Sequence, residues 1–299
     1  MKRENGLVFA SYLIWGLLPI FWKQLSMVNS AYVLASRIIW SAIFCGALLL
    51  LRHRWGGVKA ALADKKEARL IFLCAILISI NWGLYIFSIA IGKVLESSLA
   101  YYMSPIISVL IGAVFFREKH GVIQWLAIAI AAIGVLIAVV MYGSVPWLAL
   151  TIGGSFAVYG ALKKKVKADG ETSIFLETLF MAPFALAFMI FAEWNGNGVL
   201  GVLHGWQFIL LPLTGIVTSV PLMLFAQGIK QTSITFSGIL MYINPTMVLL
   251  LGVFLYGEAF TRTNQIVFAF VWAAVLLFVG DSLVQHHRAA KKLEEMVER

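Results

Sequence analysis

The sequence predicts an all-α integral membrane protein with ten transmembrane helices in two inverted five-helix repeats. Three observations lead to this prediction. Hydrophobic residues make up 61% of the chain and charged residues only 12%, which is about half the charged fraction of an ordinary soluble domain. Apolar runs long enough to cross a bilayer follow one another along the whole chain, and the second half repeats the residue spacing of the first half.

The apolar runs define the predicted spans. A bilayer core about 30 Å thick requires about 20 apolar residues in a helix. The runs that approach or meet this requirement are 6–24, 31–51, 69–91, 98–116, 122–142, 146–163, 173–193, 207–228, 235–256 and 264–284. They are apolar on every side and lack the alternation of a β-barrel strand, so helices are predicted throughout.

Basic residues predict the orientation of these spans. Lys and Arg are enriched in cytoplasmic loops. Of the 23 Lys and Arg residues, all but four fall in segments on one predicted side; the exceptions are Lys23, Lys93 and Arg262 on the other side and Arg37 within the second span. Both termini are therefore expected in the cytoplasm, with 285–299 as a cytoplasmic tail. Because the basic residues lie in short connectors rather than on one folded face, the net charge of +9 does not indicate nucleic-acid binding.

An internal repeat relates the two halves. The segments 102–105 (Tyr-Met-Ser-Pro) and 242–245 (Tyr-Ile-Asn-Pro) are each followed at the same spacing by a glycine and a glutamate. These residues are Gly112 with Glu118, and Gly252 with Glu258. The offset of about 140 residues also relates Lys23 to Lys163 and Arg37 to Glu177.

This offset predicts two domains, 1–142 and 146–284, each with five spans. An odd number of spans inverts the second copy relative to the first. Inverted repeats are a recurring architecture of secondary transporters, in which the substrate site lies near the midplane between the copies. The alternative is a duplication kept for stability alone.

Several motifs resemble a known family. They are Trp15-Gly16, Pro19, Trp22-Lys23, Arg37, Asn81-Trp82 with Tyr85, Glu96-Ser97-Ser98-Leu99 and Pro146-Trp147. Together they resemble the RarD branch of the drug/metabolite transporter superfamily, whose members carry paired EamA-type domains. The resemblance covers nearly the whole chain and implies a bacterial inner-membrane protein with ten helices around a central cavity. The sequence departs from the expected pattern at Ser104, where the family leads us to expect an asparagine before the proline.

Two cationic residues are candidates for the substrate site. Arg37 lies about two turns inside its span, where an isolated charge costs several kcal/mol unless it is paired or solvated. It either holds an anionic group of a substrate, forms a gate, or snorkels to the headgroups. Lys23 follows Trp22 and forms either a cationic rim of the cavity or an interfacial anchor. Because inversion places Arg37 and Glu177 near opposite faces, no salt bridge between them is expected.

Polar and aromatic residues within the spans are further candidates. Trp15, Pro19 and Lys23 share one face of the first helix, which either lines a pathway or packs against a neighbour. Asn81 and Tyr85 form a polar stripe in the third span, and Gln227 lies near the equivalent position of the eighth. Such side chains face a cavity or form interhelical hydrogen bonds.

Prolines at matched positions predict bends in two helices. Pro105 and Pro245 each remove a backbone hydrogen bond, as does Pro19 in the first helix. Bends there could serve gating or be purely structural. Three residues flank the later two prolines and are expected to reach the cavity: Tyr101, Tyr242 and Asn244.

These features favour transport of a small metabolite or drug-like molecule, aromatic or carboxylate-bearing, by alternating access. The expected partners are that small molecule and the lipid bilayer. No metal or other cofactor is predicted, since Cys45 and Cys74 lie in apolar runs and the five His residues lie in connectors or the tail. The sequence contains no catalytic motif, so an enzyme is not predicted. A non-transporting accessory or sensor subunit is the alternative, although 52–68 is short for an interaction domain. Import or export, the energy source and the oligomeric state stay open.

Overall fold

A computed structural model describes residues 3–90, 94–143, 147–257 and 262–297. Within these ranges the chain consists of α-helices and short connectors, without a β-strand. Lys93, Pro146 and Glu258, which the sequence analysis singled out, lie outside the described residues, as do the side chains of residues 94–99. The all-helical prediction is confirmed for the described part.

The described residues form twelve α-helices. They are α1 Arg3–Lys23, α2 Ser30–Leu51, α3 Trp55–Ala63, α4 Lys65–Ala90, α5 Val94–Phe115, α6 Val122–Tyr142, α7 Trp147–Lys165, α8 Gly170–Trp194, α9 Leu210–Gly228, α10 Ile234–Leu240, α11 Ile243–Leu250 and α12 Arg262–Val297. A 3₁₀ turn, Gly205–Ile209, leads into α9, and a π-helical turn, Leu251–Leu255, follows α11.

Seven helical segments of the described part are long and apolar enough to cross a membrane. They are Arg3–Lys23, Ser30–Leu51, Lys65–Tyr85, Val122–Met141, Gly170–Trp194, Gly205–Gly228 and Ile234–Leu255. Each of the ten predicted runs overlaps helical segments, although their bounds differ by a few residues. The helix α3 lies in the 52–68 segment and was not predicted, and α12 continues well beyond the last predicted span.

Apolar and polar side chains are distributed as in a protein embedded in a lipid bilayer. Large apolar side chains lie on the outer surface, for example Phe184 with 72% and Val140 with 71% of its surface exposed. Hydroxyl-bearing side chains such as Ser36 and Thr214 are fully buried between helices. This arrangement is typical of a multi-pass membrane protein, in which apolar side chains meet lipid tails and polar groups find partners inside the bundle.

The two predicted proline bends have different outcomes. A proline cannot donate the helical hydrogen bond to the carbonyl four residues earlier. At Pro245 the helix is interrupted at that place, because α10 ends at Leu240 and α11 begins at Ile243. At Pro105 the helix α5 continues without interruption.

The helices α2 and α8 pack side by side and run antiparallel. Ala35, in the first half of α2, belongs to the same apolar cluster as Ala185, in the second half of α8. Gly46, late in α2, lies against Phe175, early in α8. The carboxylate of Glu171 at the start of α8 pairs with Arg52, directly after α2.

The bundle therefore has two distinct ends. The Lys23 end is where α1 passes into α2. The Lys163 end is where α7 passes into α8. Because α8 runs antiparallel to α2, the start of α8 lies beside the end of α2, so the Lys163 end is opposite to the Lys23 end.

Two further helix pairs are also antiparallel. In α6 and α12, Gly134 lies against Phe270 and Gly121 lies near Gln285. In α5 and α10, Gly112 lies against Thr235 while Gly238 lies against the backbone of Pro105. Glycines at these crossings allow the helix backbones to approach closely, which is the usual means of tight packing between membrane helices.

The crossing of α2 and α9 gives a test of this packing. A Cβ atom on Gly215 of α9 would collide with the backbone of Trp40 in α2, which cannot rotate away. Overpacking of this kind costs about 1–3 kcal/mol. We expect Gly215→Ala to lower the melting temperature of the protein in detergent, measured by loss of the monodisperse peak in size-exclusion chromatography after heating.

Gly154→Ala is the matched control, because no atom lies within 4 Å of the added Cβ at Gly154. In a helix, alanine is favoured over glycine by about 1 kcal/mol, so this variant should melt at an equal or higher temperature. Equal stability of the two variants would contradict the described crossing.

Candidate functional site

A cavity of about 460 Å³ lies between the two halves of the bundle. Its walls come from α1, α2, α4, α5, α7 and α9 and from the α10–α11 region. It extends to the connector between α1 and α2, where Leu25, Ser26 and Val28 line it. The cavity thus reaches the Lys23 end of the bundle.

The structure brings eight of the predicted site residues together around this cavity. They are Trp15, Pro19, Lys23, Arg37, Asn81, Tyr85, Tyr101 and Asn244. A polar side chain in an apolar span must face protein or water, and this requirement gathers residues of distant segments at one place.

Gln227 and Tyr242 do not line the cavity, contrary to the sequence prediction. Gln227 is exposed on the outside of α9. It follows the cavity-lining Leu222 by five residues, a rotation of roughly 140° around the helix at 3.6 residues per turn. Tyr242 lies in the break between α10 and α11, where its side chain is 1% exposed. Its hydroxyl donates a hydrogen bond to the carbonyl of Tyr102, at 3.2 Å.

Pro105 and Pro245 are buried away from the cavity wall. Pro105 lies at the close crossing of α5 with Gly238 of α10. Any contribution of these two prolines to gating would act through the shape of their helices. Pro19, by contrast, lies directly in the wall.

Arg37 is held between two indole rings. Its guanidinium carbon lies 4.8 Å from the ring centre of Trp22 and 4.3 Å from that of Trp82. Its Nε donates a hydrogen bond to the hydroxyl of Thr218, at 3.0 Å. Contacts with α1, α4 and α9 place the guanidinium in the bundle interior, which favours the site interpretation over snorkelling. Among the described residues, Arg37 has no carboxylate within salt-bridge distance.

Lys23 lies at the rim of the cavity. Its Nζ is 3.7 Å from the ring centre of Tyr256, a cation–π contact that leaves the ammonium group solvated. The side chain is exposed. Lys23 and Arg37 are the two cationic residues among the described residues that line the cavity, and that set contains no Asp or Glu.

An aromatic floor, made of Tyr12, Trp15, Phe156 and Phe225, lies beneath the cavity. The Trp15 ring lies 5.5 Å from the ring of Tyr12, 5.9 Å from that of Phe156 and 5.7 Å from that of Phe225. Tyr12 and Phe156 also line a second void of only about 10 Å³ on the far side of this floor. The rings thus separate the cavity from the Lys163 end.

Asn81 has both of the roles that the sequence analysis considered, since it lines the cavity and forms interhelical hydrogen bonds. It lines the cavity, and its side-chain amide donates hydrogen bonds to the carbonyl of Ile152 at 2.7 Å and to the hydroxyl of Ser155 at 3.2 Å. Ser104, at the position where an asparagine was expected, also lines the cavity and donates to the carbonyl of Gly153, at 3.0 Å. These bonds join α4 and α5 to α7.

A buried polar cluster lies at the Lys163 end. It consists of Tyr159, Lys163, Ser173 and Glu177, with Lys163 0% and Glu177 3% exposed. The ammonium group of Lys163 pairs with the Glu177 carboxylate and donates to the Ser173 hydroxyl at 2.6 Å. The hydroxyls of Tyr159 and Ser173 donate to the same carboxylate at 3.2 and 2.9 Å. The sequence analysis noted both charges but did not predict their pairing.

Further hydrogen bonds close this end of the bundle. The Glu118 carboxylate accepts the backbone N–H groups of Ile234 and Thr235, at 2.6 and 2.9 Å, at the start of α10. The Glu67 carboxylate accepts the N–H groups of residues 167 and 168. In the connector before α4, the backbone N–H of Glu67 and the ammonium group of residue 167 lower the pKa of Asp64.

The described residues contain no group of three His, Cys, Asp or Glu side chains that could hold a metal ion. Cys45 and Cys74 are both buried and unbridged.

Comparison with known proteins identifies the family. The model of the EamA-like transporter family matches twice, over residues 3–140 and 144–280. The chain belongs to the EamA-like transporter family. The names of this family and of the chain's relatives point to transport rather than to catalysis.

The relatives confirm the resemblance to the RarD branch. A Vibrio cholerae protein named an uncharacterized transporter is 37% identical, with 97% of this chain and 96% of the relative covered. The RarD protein of Streptomyces exfoliatus is 34% identical over 98% of this chain and 95% of its own length. That of Escherichia coli is 32% identical over 95% and 96%.

A solved crystal structure has the same fold. It is 16% identical and superposes with a TM-score of 0.71, covering 92% of this chain and 96% of the other. At this identity the likeness concerns the fold alone.

The interhelical hydrogen bonds of Asn81 give a testable prediction for this EamA-like chain. Asn81→Leu keeps the branched shape of the side chain but removes the bonds to α7, which we expect to cost about 1 kcal/mol. The melting temperature in detergent should fall. Ser88→Ala is the control, because the Ser88 hydroxyl donates within its own helix, to the Tyr85 carbonyl. Equal melting temperatures for both variants would show that Asn81 does not hold α4 to α7.

Proposed function

We propose that this chain is a secondary-type transporter that moves a small metabolite or drug-like molecule across the bacterial inner membrane by alternating access. The observation that carries this proposal is the one-sided cavity. It reaches the Lys23 end, whereas the aromatic floor and the buried Lys163–Glu177 pair separate it from the Lys163 end. A carrier in one of its two states has this shape.

The proposal includes ten membrane spans in two inverted repeats, 1–142 and 146–284. The three antiparallel pairs α2–α8, α5–α10 and α6–α12 each join helices that the offset of about 140 residues makes equivalent, as an inverted repeat requires. The other contacts also occur in equivalent pairs. The packing of α1 on α9 and α11 corresponds to that of α7 on α4 and α5. The two matches to the family model support the same division.

The proposed orientation places the Lys163 end and both termini in the cytoplasm. The Lys163 end carries the basic residues Lys164, Lys165 and Lys167, and cytoplasmic segments are enriched in such residues. In this orientation the cavity faces the periplasm, so the structure corresponds to an outward-facing state.

The lining favours a substrate with an aromatic or other apolar body. Trp15, Trp82, Tyr85 and Tyr101 line the cavity, and the ring centres of Tyr85 and Tyr101 lie 5.7 Å apart. Aromatic groups bind such walls through offset and edge-to-face contacts. A volume of about 460 Å³ suits a small organic molecule.

Transport is tested directly with purified protein in liposomes. We expect uptake and counterflow of at least one member of a panel of aromatic and amphipathic metabolites, measured with and without a pH gradient. Empty liposomes and liposomes with Trp15→Ala, in which the floor is incomplete, are the comparisons. If a correctly folded sample neither binds nor moves any solute, the accessory or sensor function replaces the carrier.

The polar cluster at the Lys163 end gives a separate prediction. Removing one partner of a buried ion pair costs about 3–5 kcal/mol, so Glu177→Gln should destabilise the closed state of this end. Ser108, 7% exposed, lines the small void between the floor and the Lys163 end. We expect a cysteine introduced by Ser108→Cys, with Cys45 and Cys74 replaced by alanine, to react at least tenfold faster with an impermeant maleimide in inside-out vesicles when Glu177→Gln is added.

Glu171→Gln is the matched control. It removes a partly exposed ion pair with Arg52 at the same end and leaves the buried cluster intact. The labelling rate of this control should stay unchanged. Equal acceleration by both variants would indicate general loosening rather than opening of this end.

A further inference from the structure

The polar cluster at the Lys163 end has a counterpart in the cavity wall. The offset of about 140 residues pairs the members of the two sets: Tyr159 with Pro19, Lys163 with Lys23, Ser173 with Val33 and Glu177 with Arg37. All four members of the first-half set line the cavity. The same four positions of the repeat therefore form a buried polar cluster at the Lys163 end and part of the cavity wall at the Lys23 end.

The two sets differ in charge. At the Lys163 end, the lysine meets a carboxylate, and both charged side chains are buried. At the Lys23 end, the position equivalent to Glu177 is occupied by Arg37, so that both charged members are cations. The described residues that line the cavity supply no carboxylate to neutralise them.

We propose that the transported molecule is an organic anion, and that its acidic group binds between Lys23 and Arg37 and allows the Lys23 end to close. This inference rests on the proposed function. In an inverted repeat, the closed form of one end resembles the closed form of the other. Closing the Lys23 end would bring Lys23 and Arg37 as close as Lys163 and Glu177 are now. Two cations repel each other strongly at that distance in a medium poor in water, and an anionic group between them removes the repulsion.

The surroundings of Arg37 suit this task. The guanidinium is flanked by Trp22 and Trp82, and its Nε bonds to Thr218. The terminal nitrogens of a guanidinium fixed in this way can donate to both oxygens of a carboxylate. The aromatic walls beside it would receive the apolar body of the same molecule. The acidic group thus performs at the Lys23 end what the Glu177 carboxylate performs at the Lys163 end.

The proposal predicts that a glutamate side chain at position 37 takes over the role of the substrate's acidic group, so that the Lys23 end can close without substrate. Val248 lines the cavity and is 39% exposed. A cysteine introduced by Val248→Cys, with Cys45 and Cys74 replaced by alanine, reports access from the Lys23 end to an impermeant maleimide in right-side-out vesicles. We expect Arg37→Glu to slow this labelling at least tenfold without any added solute, because the new carboxylate pairs with Lys23.

Two further variants separate pairing from other effects. Arg37→Gln removes the cation without supplying an anion, so its labelling should be slowed far less than that of Arg37→Glu. Adding Lys23→Gln to Arg37→Glu removes the pairing partner and should restore fast labelling. Each variant is first checked for a monodisperse peak in size-exclusion chromatography. Fast labelling of folded Arg37→Glu, or equally slow labelling of Arg37→Gln, would overturn the proposal.

Uptake tests the class of substrate. A bacterial metabolite extract is divided on an anion exchanger, and solutes accumulated by proteoliposomes are detected by mass spectrometry. We expect accumulation from the retained, anionic fraction and at least a tenfold loss of it in Arg37→Gln. Accumulation from the unretained fraction alone would overturn the anion proposal and leave transport intact. Accumulation from neither fraction, together with slow labelling of Ser108→Cys in Glu177→Gln, would overturn alternating access itself.

Discussion

The closed end of this bundle depends on the ion pair between Lys163 and Glu177. An unpaired charge inside the membrane region is costly, and each of these two side chains is almost completely buried. The Tyr159 and Ser173 hydroxyls occupy further positions on the carboxylate, so the pair loses few of the hydrogen bonds that water would provide. Because one charge lies on α7 and the other on α8, satisfying both fixes these helices against each other.

An end of the bundle that is closed by charged side chains can open differently from one that is closed by apolar packing. Apolar packing of similar volume can be as stable as a buried ion pair. Charged groups, however, recover their hydration when water enters, so the closed and hydrated forms of such a cluster can be close in free energy. In the proposed carrier, the aromatic floor excludes water from this cluster while the opposite end is open. In that carrier the two layers would have different tasks, since the rings would block the passage and the charges would set the balance between states.

The position of Arg37 follows from a polar seam between α2 and α9. The Ser36 and Thr214 hydroxyls lie 3.3 Å apart, and the Ser41 hydroxyl donates to the carbonyl of Gly215. Without a hydrophobic driving force between helices in lipid, such bonds and close backbone contacts hold the helices together. The seam continues to Thr218, which receives the bond from Arg37. Packing and site geometry are therefore set by the same contact between the two halves.

The amino-acid sequence alone predicted the helical class, the repeat offset and eight residues of the cavity wall. Asn81, Tyr85 and Arg37 could be predicted because a polar group in an apolar span needs protein or water beside it. The same argument does not account for Gln227, which is exposed on the outside of α9, since near the end of a helix a polar side chain can face outward at little cost.

Which polar groups meet depends on the packing of the helices against one another. The pairing of Lys163 with Glu177, the enclosure of Arg37 by Trp22 and Trp82, and the burial of Tyr242 at the break after α10 all join separate segments. Their distances depend on how helices cross and rotate, whereas the periodicity of one helix specifies only which residues share a face.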